Sequence, residues 1–151
     1  MIVICTVALA GCGSTGGTTN TAKLTPQQSD NAQRDVGYVR AVNQVMAPFN
    51  KPPPNLTDYV AAGRELDTAI RGLGSLSAPP PFAFSQAHLV AALRAQSALV
   101  PRIARAARTH DLVAENNIEA QNLRAEADVR ISTQEIVQAY NRCRSANFRA
   151  C

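Results

Sequence analysis

The chain has 151 residues, enough for one domain with a hydrophobic core of its own. Aromatic residues make up only 5% of it and Trp is absent, whereas Ala, Leu and Val are plentiful, which favours packed helices over a β-sandwich. The net charge of +4 is too small and dispersed to indicate a nucleic-acid-binding protein, although it could attract anionic lipid headgroups or wall polymers. We therefore expect an all-α fold and no nucleic-acid partner.

Residues 1–12 form a short apolar run that ends in Leu9, Ala10, Gly11 and Cys12. Ten helical residues would span about 15 Å, half of the hydrocarbon core of a bilayer, so this run is not a transmembrane anchor. Its last four residues resemble the lipobox of bacterial lipoprotein signal sequences. The resemblance implies that residues 1–11 are removed and that Cys12 becomes the lipidated N-terminus.

A signal of this class normally begins with a basic residue, and none precedes Lys23, so we expect the biological start to lie upstream of Met1. The alternative is an apolar first element of a cytosolic domain, with Cys12 as a buried thiol. Residues 13–24 are rich in Gly, Ser and Thr, the composition of a flexible tether and a poor continuation of a core element. This composition favours the lipoprotein, held outside the cytoplasm on the membrane of the cell envelope.

The cysteines also bear on whether the protein lies outside the cytoplasm. Cys5 would be lost with the signal, which leaves Cys143 and Cys151 as a pair in a compartment where disulfides persist. A helix continued through Cys151 would hold their Cα atoms about 12 Å apart, too far for a disulfide. A disulfide between these two cysteines therefore predicts that the last helix ends near residues 145–147 and that a tail over residues 146–151 folds back. The alternative is two free thiols.

The helical domain is expected over residues 25–145. Thr25 and Pro26 are suited to cap and open a first helix, whose apolar side contains Val36, Val39 and Val42. Proline-rich or turn-forming links then separate three more helices, the second capped by Asn55 or Thr57, the third by Ser85. The first helix is expected to run from residue 25 to about 49, and the second to end at Gly72 and Gly74. The third turn is expected at residues 109–111, and the last helix over residues 111–144. Because short links favour antiparallel neighbours, we expect an antiparallel four-helix up-down bundle with a flexible N-terminal tether, similar to small helical lipoproteins of GC-rich bacteria.

The proline-rich loop before the third helix contains Phe82 and Phe84. One interpretation is an exposed apolar loop that binds a partner or dips into lipid. We favour the other interpretation, in which both rings plug the open end of the bundle, because aromatic residues beside a helix start resemble a hydrophobic staple.

The third helix should also carry the most basic surface of the chain. Its arginines on the side away from the apolar seam are Arg94, Arg102, Arg105 and Arg108. They form a candidate face for phosphate or an acidic polymer, although a solvated face without a ligand is the favoured interpretation. Pro101 should point outward and bend this helix without breaking it.

Catalytic chemistry is not indicated. His88 and His110 have no neighbours that suggest a base or a ligand, and His88 is expected to be a half-buried, hydrogen-bonded structural residue. Carboxylates such as Glu126, expected to form an exposed pair with Arg130, should face solvent. Neither a metal-binding spacing nor a nucleophile with a local base is present, so we expect no cofactor, no metal and no enzymatic activity.

Two functions remain open. The first is an interaction or structural module of the envelope that holds a partner protein or an anionic polymer. The second is a bundle that binds a small or apolar ligand, since its expected interior contains small residues that could leave room for a guest. Those residues are Gly63, Ala92, Ala125 and Ala139.

Overall fold

The computed structural model describes residues 24–50, 59–149 and 151. Its four α-helices are α1 (Pro26–Met46), α2 (Tyr59–Ser75), α3 (Ala83–Thr109) and α4 (Leu112–Ser145), with short 3-10 helices at Ala47–Asn50 and Pro80–Phe82. No strand occurs in these ranges, so the predicted all-α class is confirmed. The lipobox, the tether up to Lys23 and the caps predicted at Asn55 and Thr57 lie outside the described residues.

The helix starts follow local sequence signals in one case and depart from them in another. Thr25 and Gln28 form a capping box, in which each side chain accepts a hydrogen bond from the other residue's backbone N–H. By contrast, α3 begins at Ala83, and the cap predicted at Ser85 is wrong because the 3-10 turn before it already supplies the helical conformation. Ser85 is instead buried inside the helix.

Helix α3 passes through Pro101 without interruption, as predicted, and this proline is exposed. The helix ends at Thr109, and the next residue, His110, caps it with a left-handed backbone conformation (φ of 51°). The side chain of Asp111 then accepts a hydrogen bond from the backbone N–H of Ala114 and caps α4. With 34 residues, α4 is about 51 Å long, the longest helix of the described chain.

Helices α3 and α4 form the most extensive pair, and α2 packs along α3. His88 near the start of α3 meets Glu135 late in α4, whereas Arg102 late in α3 meets Gln121 early in α4. These two contacts run in opposite directions along the pair, as in an antiparallel hairpin.

Helix α1 contacts residues of α2, of α3 and of the C-terminal part of the chain. Tyr38 donates a hydrogen bond to Gln86 near the start of α3, and Val45 lies against Gly72 in the last turn of α2. Asn31 donates a hydrogen bond to the backbone carbonyl of Phe148, in the tail after α4. The helices therefore form a bundle, while the up-down order of all four stays a prediction.

The core consists of two clusters. The larger one joins all four helices and is filled by long apolar side chains with almost no exposure, among them Val42, Leu66, Leu73, Phe82, Leu89, Leu93 and Ile136. The smaller one holds α3 against α4 near their connecting turn through Leu99, Ala106 and Ile118. None of the described helices is both long and apolar enough to cross a membrane.

Candidate functional site

The two phenylalanines of the predicted partner loop lie in different environments, one buried and one exposed. Phe82 is fully buried, and its ring centroid lies 4.8 Å from that of Tyr38. Phe84 is 76% exposed, and its ring centroid lies 6.1 Å from that of His88. The plug interpretation is confirmed for Phe82 and wrong for Phe84, because Phe84 is already part of α3 and lies on the side of that helix away from the core.

Phe84 opens an exposed apolar strip on α3. At 100° per residue it shares one side of the helix with four exposed alanines, whereas the buried residues of α3 occupy the opposite side. We call this strip the outer face of α3, and its members are Phe84, Ala87, Ala91, Ala95 and Ala98. Helix α3 is therefore apolar on two sides, only one of which is covered within the described chain.

Arg102 and Arg105 continue the same side of α3 towards its C-terminus, whereas Arg94 lies at the border of the strip and Arg108 lies outside it; all four predicted arginines are exposed. Arg102 and Arg105 line an open groove of about 390 Å³ beside the α3–α4 turn, together with Thr109 and Asp111. The Nη1 atom of Arg102 donates a hydrogen bond to Gln121 at 2.8 Å. Arg94 and Arg108 do not line this groove, so the structure brings together half of the predicted anion-binding residues and adds a carboxylate beside them.

His88 is half-buried, and its Nδ1 lies 3.1 Å from Glu135 Oε2. The predicted structural histidine is thus confirmed, with a partner on α4 that lies 47 positions away in the chain. His110 is exposed at the end of α3. No signal in the local sequence points to Glu135, because only the packing of α3 on α4 brings it to His88.

A second cavity, of about 180 Å³, lies between α2, α3 and α4. Its lining combines Tyr59, Ile103, Ala107 and Ile118 with the polar residues Glu115, Asn116, Glu119 and Asn122. The small residues predicted to leave room for a guest do not line it. Ala92, Ala125 and Ala139 are buried, and a Cβ on Gly63 would already meet Val100 at 3.4 Å. The positions that were expected to leave room for a guest therefore do not form this cavity.

Glu126 departs from its expected place in solvent. It is half-buried, and Asn122 Nδ2 donates a hydrogen bond to its Oε1 at 2.7 Å. Burial raises the pKa of Glu126, and the hydrogen bond from Asn122 opposes that rise. The exposed pair predicted with Arg130 is wrong for this reason. The buried Oδ1 of Asn122 has no hydrogen-bond partner, so a polar atom beside the cavity is unsatisfied.

Cys143 and Cys151 form the predicted disulfide, with Cα atoms 5.8 Å apart. Helix α4 ends at Ser145, within the predicted range. Positive φ angles at Asn147 (49°) and Phe148 (56°) then turn the tail back towards the bundle.

The disulfide lies against a buried charged residue that the sequence interpretation missed. Asp35 on α1 has no exposed surface, and its Oδ1 accepts a hydrogen bond from Arg34 Nε at 3.2 Å. The Nη2 atom of Arg34 donates to the backbone carbonyl of Cys151, and Asn31 Nδ2 donates to that of Phe148 at 3.0 Å. One signal was present, because Asp35 precedes the buried Tyr38 and Val42 by three and seven positions, on the same side of a helix.

No protein-family model matches this sequence, and neither a curated protein nor a solved structure gives a match.

Proposed function

We propose that the protein is a lipoprotein of the cell envelope, attached to the membrane outside the cytoplasm through lipid on Cys12, and that it acts as a non-enzymatic interaction module. The lipobox residues Leu9, Ala10 and Gly11 support the anchor. The Cys143–Cys151 disulfide suits an oxidising compartment. A glycine-rich tether before Thr25 would let the helical domain reach a partner away from the bilayer.

The outer face of α3 is the observation that carries the interaction role. A helix buries one apolar side in its own domain and normally presents polar side chains on the other. Here the other side contains Phe84 and four exposed alanines, with Arg94 at its border, so a partner that covers it would remove apolar surface from water. Phe84 is the candidate anchor of this strip, because phenylalanine is enriched in interfaces whereas alanine is depleted there.

The arginines indicate the polarity of that partner. Arg102 and Arg105 follow the apolar strip along the same side of α3, so a partner lying along the helix would meet apolar surface first and positive charge afterwards. We infer a protein of the envelope with an apolar surface flanked by carboxylates, since charge complementarity of this kind orients a complex. An anionic polymer would use the arginines but not the strip.

The alternative, a bundle that binds a small or apolar ligand, has less support. Pockets for drug-sized ligands span about 300–1,000 Å³. The cavity between α2, α3 and α4 measures about 180 Å³ and has polar groups in its lining, while the larger groove is open and bordered by arginines. The interaction role therefore accounts for more of the surface.

Site-specific photo-crosslinking in intact envelopes tests the interaction role. A photoreactive amino acid at Ala91, in the middle of the outer face of α3, should yield a discrete crosslinked protein. The same amino acid at Glu65, which is exposed on α2, should not. Ala91→Glu should abolish capture of that protein by the tagged chain, whereas Val60→Ala, at an apolar position 65% exposed on α2, should leave it unchanged. Equal crosslinking from both helices would contradict the proposal.

A further inference from the structure

The surroundings of the C-terminal disulfide contain three potential metal ligands. A carboxylate oxygen of Asp35 and the Sγ atoms of Cys143 and Cys151 all lie within 4.8 Å of one another. Asp35 and Cys143 are buried, and Cys151 is partly exposed. Two sulfurs and a carboxylate are ligands that Zn²⁺ accepts, at about 2.3 Å and about 2.0–2.2 Å respectively. Only the S–S bond keeps the sulfurs from acting as thiolates.

The hydrogen bonding of Asp35 supplies an independent indication. Its side chain is fully buried, yet Oδ2 has no hydrogen-bond partner, while Oδ1 is held by Arg34. A buried, unpartnered carboxylate oxygen costs free energy because it has left water without a replacement. A bound cation would provide that replacement, so Asp35 offers a ligand atom that the folded chain does not otherwise use.

We propose that Asp35, Cys143 and Cys151 form a zinc site that opens when the disulfide is reduced by a dithiol. In the first step the S–S bond breaks, two electrons and two protons pass to the protein, and the dithiol becomes a disulfide. In the second step each thiol loses its proton to solvent as its sulfur binds Zn²⁺. Asp35 provides the third ligand, and a water molecule completes a tetrahedral site.

The charges and the positions of the three ligands in the chain both suit this site. Two thiolates and one carboxylate carry three negative charges, which Zn²⁺ and the adjacent Arg34 guanidinium balance. Cys143 belongs to α4 and Asp35 to α1, whereas Cys151 lies in the tail beyond the helix. Bringing the second sulfur from bonding distance to the wider separation that a shared metal requires therefore needs a shift of the tail and no shift of α1 or α4. This inference does not depend on the proposed function.

Metal titration of the full chain tests the site, in a Cys5→Ser/Cys12→Ser background that leaves Cys143 and Cys151 as its remaining cysteines. The protein is reduced with dithiothreitol, desalted under argon and titrated with Zn²⁺ against a chromogenic chelator. We expect one Zn²⁺ per reduced chain and none per oxidised chain. Asp35→Asn should weaken binding at least tenfold, whereas Asp30→Asn, at an exposed position of the same helix, should not.

Reduced protein that binds no more Zn²⁺ than oxidised protein would overturn the proposal, as would an Asp35→Asn variant with unchanged affinity. Should circular dichroism show that Asp35→Asn has lost its helices, X-ray absorption of the zinc-loaded parent decides. Two sulfur neighbours at about 2.3 Å and two oxygen neighbours support the site. Four sulfur neighbours around the Zn²⁺ ion, which would require two chains, would contradict the proposed site.

Discussion

Phe82 and Phe84 lie two positions apart, yet the first has no exposed surface and the second is 76% exposed. Phe82 fills the core beside Tyr38, so Phe82→Ala should lower the free energy of unfolding by about 3–5 kcal/mol. Phe84→Ala should change it by no more than about 0.5 kcal/mol, because no core contact is lost. Urea denaturation of the two variants makes the comparison. Equal destabilisation would show that Phe84 is buried in solution.

The Cys143–Cys151 disulfide closes a short loop that pins the tail to the bundle. Replacing both cysteines by serine should lower the free energy of unfolding by about 2–3 kcal/mol, since the unfolded chain regains the entropy of an open loop. Denaturation with and without a reductant measures this. The reductant should destabilise the parent and leave the double variant unchanged. If the reductant also destabilised the double variant, the loss of stability would not come from this disulfide.

Glu126 should make stability depend on acid pH. Burial raises its pKa above the ordinary 4.5, so the folded chain favours the neutral carboxyl, and its contribution is complete below pH 4.5 and lost as the pH rises. Glu126→Gln removes that loss and keeps the acceptor for Asn122. The variant should exceed the parent in unfolding free energy at pH 7 and match it in acid. Glu119→Gln, at an exposed position of α4, serves as the control.

Tyr38 should make stability depend on alkaline pH. Burial raises its pKa from 10.0 to about 12, so the stability that its neutral phenol contributes is complete below pH 10.0 and is lost as the pH approaches 12. The difference in tyrosinate absorbance between the parent and Tyr38→Phe isolates this group from Tyr59 and Tyr140. We expect a midpoint near pH 12 in the folded protein and near pH 10.0 in denaturant. Coinciding midpoints would contradict the burial of Tyr38.

The start of α1 and the end of α4 at the disulfide were predictable because their signals are local. A hydroxyl before a proline at Thr25 indicates a helix start. The distance that a continued helix would impose on Cys143 and Cys151 indicates where α4 must end. In both cases a few consecutive residues contain the relevant geometry, so no knowledge of the packing was needed.

The buried side of α1 was predictable only in part. Val36 was expected to face the core and is 36% exposed, whereas its neighbour Asp35 is fully buried. Counting apolar residues places a carboxylate in solvent, and only the packing of the tail against α1 gives Asp35 a buried environment. The pairing of His88 with Glu135 likewise depends on how two helices pack.

The outer face of α3 escaped prediction for another reason. Alanine is compatible with both core and surface, so a helix rich in alanine shows no clear boundary between its buried and exposed sides. The exposures of Phe84 and Ala91 make that boundary visible.

Mass spectrometry of the mature N-terminus tests the proposed membrane anchor most directly. Protein extracted from membranes of its native cells should begin at Cys12 and carry a diacylglyceryl group on that cysteine, whereas a Cys12→Ala variant should keep residues 1–11 and lack the lipid. A parent chain that retains residues 1–11 with an unmodified Cys12 would contradict both the anchor and the placement of the protein outside the cytoplasm.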